Sequence, residues 1–283
     1  NIDRLNKNQK DAINHIDGPC MVLAGPGSGK TRVITYRIAN MVVNHNIRPT
    51  SILAISFTKA SSTEMKNRAI SLSQDPRINK VTYGTFHSVF FRILRHFEKY
   101  NLDSILDEKS KRLAIKGILK SLNVENGEDD EVVGQLINEI SFVKNELMDK
   151  GDFNSEVVSK DEFIKAYNLY EEHKHQIKKI DFDDMLLRTY YLLKNNSKAL
   201  ETVRSVYRYI LVDEFQDINK VQFEVLKLIS NPQNNIFVVG DEDQSIYGFR
   251  GARPDFLLEF EEYFSGTKKV MLDINYRSKG EII

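Results

Sequence analysis

Short apolar runs recur along the chain and alternate with longer amphipathic stretches. Cys20-Met-Val-Leu-Ala24, Ile52-Leu-Ala-Ile-Ser-Phe57, Tyr209-Ile-Leu-Val212 and Ile236-Phe-Val-Val-Gly240 carry no charged side chain. Their length suits strands rather than helices, and apolar residues on both faces predict strands buried inside a parallel sheet. Residues 80–86 and 270–272 predict two more. Leu5, Ile13 and Ile16, with Asn6 placed as a cap, predict a helix over 3–16. Val33, Ile34, Ile38 and Met41 mark another, Pro49 and Thr50 break the chain, and a third helix starts at about Ser61. This βαβα cadence predicts an α/β fold with a doubly wound sheet and ligands at the strand carboxyl ends.

From about Leu102 to Phe182 the period changes. Ile115, Ile118, Leu119 and Leu122 fall at helical spacing, as do Val133, Leu136, Ile137, Ile140 and Val143, and Phe163, Ala166, Tyr167 and Tyr170. An acidic loop, Glu125-Asn-Gly-Glu-Asp-Asp-Glu131, separates two of these groups. An all-helical insertion over 103–182 is expected between sheet segments at 1–102 and 183–274. The 283 residues carry no net charge, but residues 103–182 hold 12 Lys and Arg against 18 Asp and Glu, a net of −6. The remainder, with 28 basic and 22 acidic residues, is net +6 and is the better place for a polyanion.

Composition narrows the class further. With 41% hydrophobic and 28% charged residues, no run of ~20 apolar residues and no signal-peptide core, the sequence reads as a soluble globular protein without a membrane partner. The lone Cys20 excludes an internal disulfide, so a cytoplasmic location is expected. The chain opens on Asn1 and stops at Ile283 without a terminating signal, which leads us to expect a piece of a longer protein.

The first strand tips into Ala24-Gly-Pro-Gly-Ser-Gly-Lys-Thr31. Gly25, Gly27 and Gly29, with Pro26 and Ser28 between them, let successive N–H groups turn inward on an anion. Lys30 offers a point charge to β- and γ-phosphates, and the Thr31 hydroxyl can ligate Mg²⁺. The following helix presents its positive end to the same place. Ala24 stands where glycine is usual, which requires a negative φ there. Asp213 and Glu214 close the third apolar run. Asp213 is placed to hold Mg²⁺ opposite the loop, and Glu214 to orient or deprotonate a water, so ATP-type hydrolysis is the chemistry these residues support.

Asp213-Glu-Phe-Gln-Asp217 resembles motif II of the UvrD/PcrA/Rep group of superfamily-one DNA helicases. Leu5-Asn-Lys-Asn-Gln9 resembles that family's Q motif, and Phe57-Thr-Lys-Ala-Ser-Ser-Thr-Glu-Met65 its motif Ia. Gly84-Thr-Phe-His-Ser88 resembles motif Ib, and Asp181-Phe-Asp-Asp-Met185 the point where the chain re-enters the motor domain. The stretch from Gly240 to Ala252 resembles motif III, and Asn275-Tyr-Arg-Ser278 motif IV. The resemblance implies a RecA-like P-loop NTPase domain, ATP with Mg²⁺ as cofactors, and movement along single-stranded DNA with three-prime to five-prime polarity. It implies adenine recognition by Gln9, packing of Arg32 and Tyr276 around the nucleoside, phosphate sensing by Gln244, and charge neutralisation by Arg250 and Arg277. It also implies that Phe57, Thr58, His87, Tyr247 and Phe249 line the DNA path, where aromatic faces stack on bases regardless of sequence. Phe249 stands where the family often has Trp, leaving a smaller stacking surface.

Residues 275–283 then read as the start of a second motor domain. The fragment is expected to bind ATP weakly and to unwind little alone. Single-strand/duplex junctions and repair or replication proteins are the implied partners, the latter unidentified. A helicase–nuclease subunit and a non-translocating, ATP-gated nucleic-acid-binding module are the rival readings. His173 and His175, two apart on a helix, do not share a face and predict no metal pair. Asp181, Asp183 and Asp184 are expected to cap a helix and to be solvated at the junction.

Overall fold

The computed structural model describes residues 5–25, 27–241, 243–246 and 252–272. Six strands form one all-parallel sheet: β1 (Cys20–Ala24), β2 (Ile52–Ser56), β3 (Thr82–Thr85), β4 (Tyr209–Val212), β5 (Ile236–Gly240) and β6 (Lys268–Leu272). Their spatial order is β3-β2-β4-β5-β1-β6. Val22 of β1 pairs with Val239 of β5 on one side and Val270 of β6 on the other. The sheet places the carboxyl ends of β4, β5 and β1 side by side, with those of β2 and β3 next along.

Alternation along each strand divides the core in two. Met21, Leu23, Leu53, Ile55, Ile210, Val212 and Val238 face one layer of helices. Cys20, Val22, Ala54, Leu211, Phe237 and Val239 face the other. Central strands therefore need apolar residues at every position, which is why they read as unbroken runs. The edge strand β6 exposes Lys268 and Lys269, charges that disfavour pairing with a further strand.

The layer carrying Cys20 is covered by α1 (Lys7–Asn14), α2 (Lys30–Val43) and α3 (Lys59–Ser73). The helix α1 starts where Asn6 predicts, in a reciprocal capping box with Gln9. Its last carbonyls are met by Arg37 of α2, whose buried guanidinium donates to the carbonyls of Ala12 at 2.9 Å, His15, and Ile16 at 3.1 Å. The guanidinium also lies 4.2 Å from the Phe237 ring centroid. Burial lowers its pKa to about 10, which still leaves it charged near neutrality. This clamp fixes α1, and Gln9 with it, against the first strand–helix unit.

The opposite layer contains α4 (Phe86–Phe97), α8 (Phe182–Asn195), α9 (Ser197–Val206) and α10 (Lys220–Ser230). Between α4 and α8 lie α5 (Glu108–Ser121), α6 (Asp130–Asn145) and α7 (Lys160–Gln176), which enclose a separate apolar cluster built on Ile115, Leu119, Leu136, Ile140, Phe163 and Tyr170. The outgoing and returning chains touch at Ile105 and Ile180. Among the described residues, no helix is long and apolar enough to cross a membrane.

The three aspartates at the start of α8 differ from expectation. Asp181 does cap the helix, in a reciprocal box with Asp184, but all three carboxylates are buried rather than solvated. Each insertion helix sends one buried lysine to them. Lys111 reaches Asp181 and Asp183 at 3.4 Å, Lys144 reaches Asp184 at 2.9 Å, and Lys174 reaches Asp184 at 2.6 Å. Burial alone would push the Asp181 carboxyl upward. The surrounding Lys144, Lys174 and Lys111 overcome that and hold it far below the usual carboxylate range.

Candidate nucleotide site

The loop between β1 and α2 turns through Gly27 at φ 75° and Gly29 at φ 90°, left-handed conformations that glycine adopts at no steric cost. Ala24 has no positive φ and pairs with Leu272 as an ordinary strand residue, so alanine fits there. Ser28 Oγ donates to the carbonyl of Gly25 at 2.6 Å, closing the loop on itself. Pro26 lies outside the described residues.

Lys30, at the first position of α2, is mostly buried and directed at carboxylates from two strands. Its Nζ lies 3.3 Å from Glu214 Oε2, past the end of β4, and 3.4 Å from Asp241 Oδ2, past the end of β5. Glu214 has φ 50°, a left-handed residue costing roughly 1–2 kcal/mol for a side chain larger than glycine. Asp213 is buried beside it and accepts the Glu214 backbone N–H at 2.9 Å. Burial and then the neighbouring Glu214 charge push the Asp213 carboxyl up to about 6, with the Glu214 N–H and Lys30 pulling the other way. A carboxylate in that position gains from any added cation.

Gln9 is fully buried in the first turn of α1. Its Oε1 accepts the Asn6 N–H at 3.1 Å, while Nε2 has no hydrogen-bond partner among the described residues. That Nε2 would lie 3.1 Å from a Cβ placed on Gly29, so a buried unpaired donor sits directly over the glycine loop. It fits a ligand acceptor held there. The Thr31 hydroxyl and the Asp213 carboxylate supply hard oxygen donors of the kind Mg²⁺ takes. The half-buried Arg32 guanidinium lies 5.5 Å from the Tyr36 ring centroid.

Gln244 Nε2 donates to Asp241 Oδ2 at 3.0 Å, which brings it into the same cluster as Lys30 and Glu214. Two members of this cluster went unassigned in the sequence. Asp241 closes its apolar strand as Asp213 does, a signal that was present. Gln216, which bridges Glu214 and Asp241, lies inside Asp213-Glu-Phe-Gln-Asp217, but nothing in that stretch shows what its side chain meets. Tyr247, Phe249, Arg250, Tyr276 and Arg277 lie outside the described residues.

A second group gathers at the carboxyl ends of β2 and β3. Phe57 is half-buried with its ring 5.1 Å from that of Phe86. Thr58 caps α3 by accepting the Ser61 N–H at 3.1 Å. His87, in the first turn of α4, packs edge-on to Phe182 at 5.6 Å, and burial lowers its pKa against a smaller opposing effect from Asp183. A groove beside them has Lys59, Lys66, Asn67, Tyr83, Thr85 and Ser88 in its lining.

The chain matches the profile of the UvrD/REP helicase N-terminal domain over residues 5–265. It belongs to the UvrD/REP helicase N-terminal family. It is 39% identical over 289 residues to the putative ATP-dependent DNA helicase YjcD of Bacillus subtilis, covering 99% of this chain and 37% of that protein. It is 36% identical over 290 residues to the probable DNA helicase II homolog of Mycoplasma capricolum, covering 100% of the chain and 40% of that protein. It is 36% identical over 293 residues to the ATP-dependent DNA helicase PcrA of Staphylococcus epidermidis, covering 100% and 39%. The chain thus spans about two fifths of the length of these curated relatives. In this UvrD/REP-type domain, Lys30, Glu214, Asp241 and Gln244 meet at the carboxyl ends of β1, β4 and β5, beside the elements that carry Phe57, Thr58 and His87.

Proposed function

We propose that this chain is the ATP-binding part of a DNA helicase that hydrolyses ATP with Mg²⁺ to move along single-stranded DNA, with three-prime to five-prime polarity by family resemblance. The observation that carries the reading is the contact of Lys30 with Glu214 and Asp241, and of Asp241 with Gln244, beside a glycine loop over which Gln9 Nε2 has no partner among the described residues. Gln9 Nε2 would donate to the adenine, and the backbone N–H groups of Gly25 and of residues 27–31 with Lys30 would hold the phosphates. Thr31 and Asp213 would hold Mg²⁺, which when bound supplies charge neutralisation for phosphoryl transfer. Glu214 would orient the attacking water and accept its proton. Gln244, Arg250 and Arg277 would sense or neutralise charge on the terminal phosphate.

Phe57, Thr58, His87, Tyr247 and Phe249 would meet the single strand. Residues 1–102 and 183–274 would form the motor domain and 103–182 its helical insertion. Arg32 and Tyr276 would flank the nucleoside. Single-strand/duplex junctions as substrate, repair or replication proteins as partners, and a cytoplasmic setting belong to the same reading.

The test is steady-state ATP hydrolysis by the full-length protein, with and without single-stranded DNA. Hydrolysis stimulated by DNA, cut to a small residual rate in Glu214→Gln and lost in Lys30→Ala, is expected. Gln9→Ala should erode the preference for ATP over GTP while sparing hydrolysis of either. Hydrolysis that ignores DNA would refute the translocation reading in favour of an ATP-gated binding module.

A further inference from the structure

Gln216 lies two residues past Glu214, in the helical turn that follows β4, and its side chain is buried. Its amide is used at both ends. Nε2 donates to Glu214 Oε2 at 2.6 Å, the same oxygen that Lys30 approaches at 3.3 Å. Oε1 accepts the backbone N–H of Asp241 at 3.0 Å. Asp241 is the fully buried carboxylate that binds Lys30 and Gln244. Closeness at this point depends on Gly240, where a Cβ would lie 3.2 Å from Gln216 Oε1 and 2.5 Å from Leu257 Cδ2. A single neutral amide therefore spans the tips of two adjacent strands.

We propose that Gln216 is a positioning residue of the hydrolytic site, fixing the Glu214 carboxylate and tying it to the 241–244 segment. The inference rests on the reading of Glu214 as the group that orients water. Glu214 is only partly buried, and its side chain has several rotamers open to it. A charge-assisted bond from a buried donor selects one of them. The other end of the same amide accepts from the backbone of Asp241, whose carboxylate in turn accepts from Gln244 Nε2 at 3.0 Å, so Gln216 links Glu214 to Gln244 through Asp241. No proton passes through Gln216. What it supplies is placement, and displacing a catalytic group by about 1 Å can cost on the order of a hundredfold in rate.

The test uses the full-length protein with single-stranded DNA. It compares wild type, Gln216→Met, Gln216→Glu, Glu214→Gln and the double variant Glu214→Gln/Gln216→Met. Methionine keeps the volume and removes both hydrogen bonds. Glutamate keeps the acceptor for Asp241 but sets a carboxylate against Glu214, and it serves as the test should the methionine variant fail to fold. Each Gln216 variant is expected to lower kcat by roughly 10- to 100-fold with the KM for ATP within about threefold of wild type. In the Glu214→Gln background, Gln216→Met should cause no further loss, because a residue acting through Glu214 then has nothing to position. Unchanged kcat, a proportionate rise in KM, or losses that multiply in the double variant would each overturn the inference. If the wild type hydrolyses no ATP, or Glu214→Gln is as fast as wild type, the functional reading falls and this inference with it. If those controls behave and the Gln216 variants match wild type, the inference alone falls.

Discussion

Asp213→Asn should make the protein more stable and less able to use Mg²⁺, with the stability gain growing from about pH 4 to about pH 7. Asp213 is buried, and burial together with Glu214 raises its carboxyl from 3.8 to about 6. The folded protein thus holds this proton more tightly than the unfolded chain. Stability from this group is complete below about pH 4 and is lost as pH rises through 6. At 1.36 kcal/mol for each tenfold change, the loss totals about 3 kcal/mol, roughly half of it incurred below pH 5.

Asparagine cannot ionise, and its Oδ1 can still accept the Glu214 N–H. The variant should therefore gain on wild type progressively from pH 4 to pH 7 and hold the gain above that. For a chain of this size the gain corresponds to roughly 5–10 °C in melting temperature. Thermal unfolding of both proteins across that pH range, without nucleotide, measures it. Adding Mg²⁺ and ATP should raise the wild-type midpoint and leave the variant nearly unmoved. A difference in stability that is independent of pH, or a variant less stable than wild type at pH 8, would falsify the assignment of Asp213 as a carboxylate held ionised at its own expense.

Two further outcomes follow from buried or shifted groups. Lys144→Met leaves Asp184 with Lys174 alone and strips Glu171 of one of its two lysines; removing one member of a buried pair costs about 3–5 kcal/mol, and a loss under about 1 kcal/mol in urea unfolding would show the cluster to be well hydrated. His87 is held neutral near pH 7 by burial, so His87→Leu should weaken single-strand binding by about 1 kcal/mol without changing the slope of log affinity against log salt; a slope reduced by nearly one charge would show an imidazolium on a phosphate.

Much of the sheet was legible because central parallel strands need apolar residues on both faces, and few other elements have that pattern. The strand expected over 80–86 shows where such reading stops. It occupies Thr82–Thr85, because Thr85 and Ser88 form a reciprocal cap that begins α4 at Phe86. Local capping outweighed the β-propensity of the aromatic residue. The glycine loop, Asp213 and Glu214 were legible for the same reason as the strands: each sits at a fixed distance from one. Gln216 and the Lys111, Lys144 and Lys174 set were not. Lysines along amphipathic helices look solvated until the fold brings three helices to one cluster of aspartates, and Gln216, which meets Glu214 locally, reaches Asp241 only because β4 and β5, separated by α10, pair in the sheet.

Two of the contacts that join α5–α7 to the rest of the domain differ in strength. At α8 the three lysines and three aspartates are buried, so parting them would expose or strand several charges at once, and α8 itself packs on α4 in the main core. At the other attachment, Arg253 donates its backbone N–H to the Ile218 carbonyl at 2.8 Å, just past the Glu214 turn, while its guanidinium reaches Glu146 Oε2 at 2.8 Å, at the end of α6. That ion pair is a third exposed on the arginine side and also shares Asp255, so it is worth about 1 kcal/mol at most. The first contact ties α5, α6 and α7 to the start of α8 through buried charge. The second is weak, and through Arg253 it links the Ile218 carbonyl, just past the Glu214 turn, to Glu146 at the end of α6.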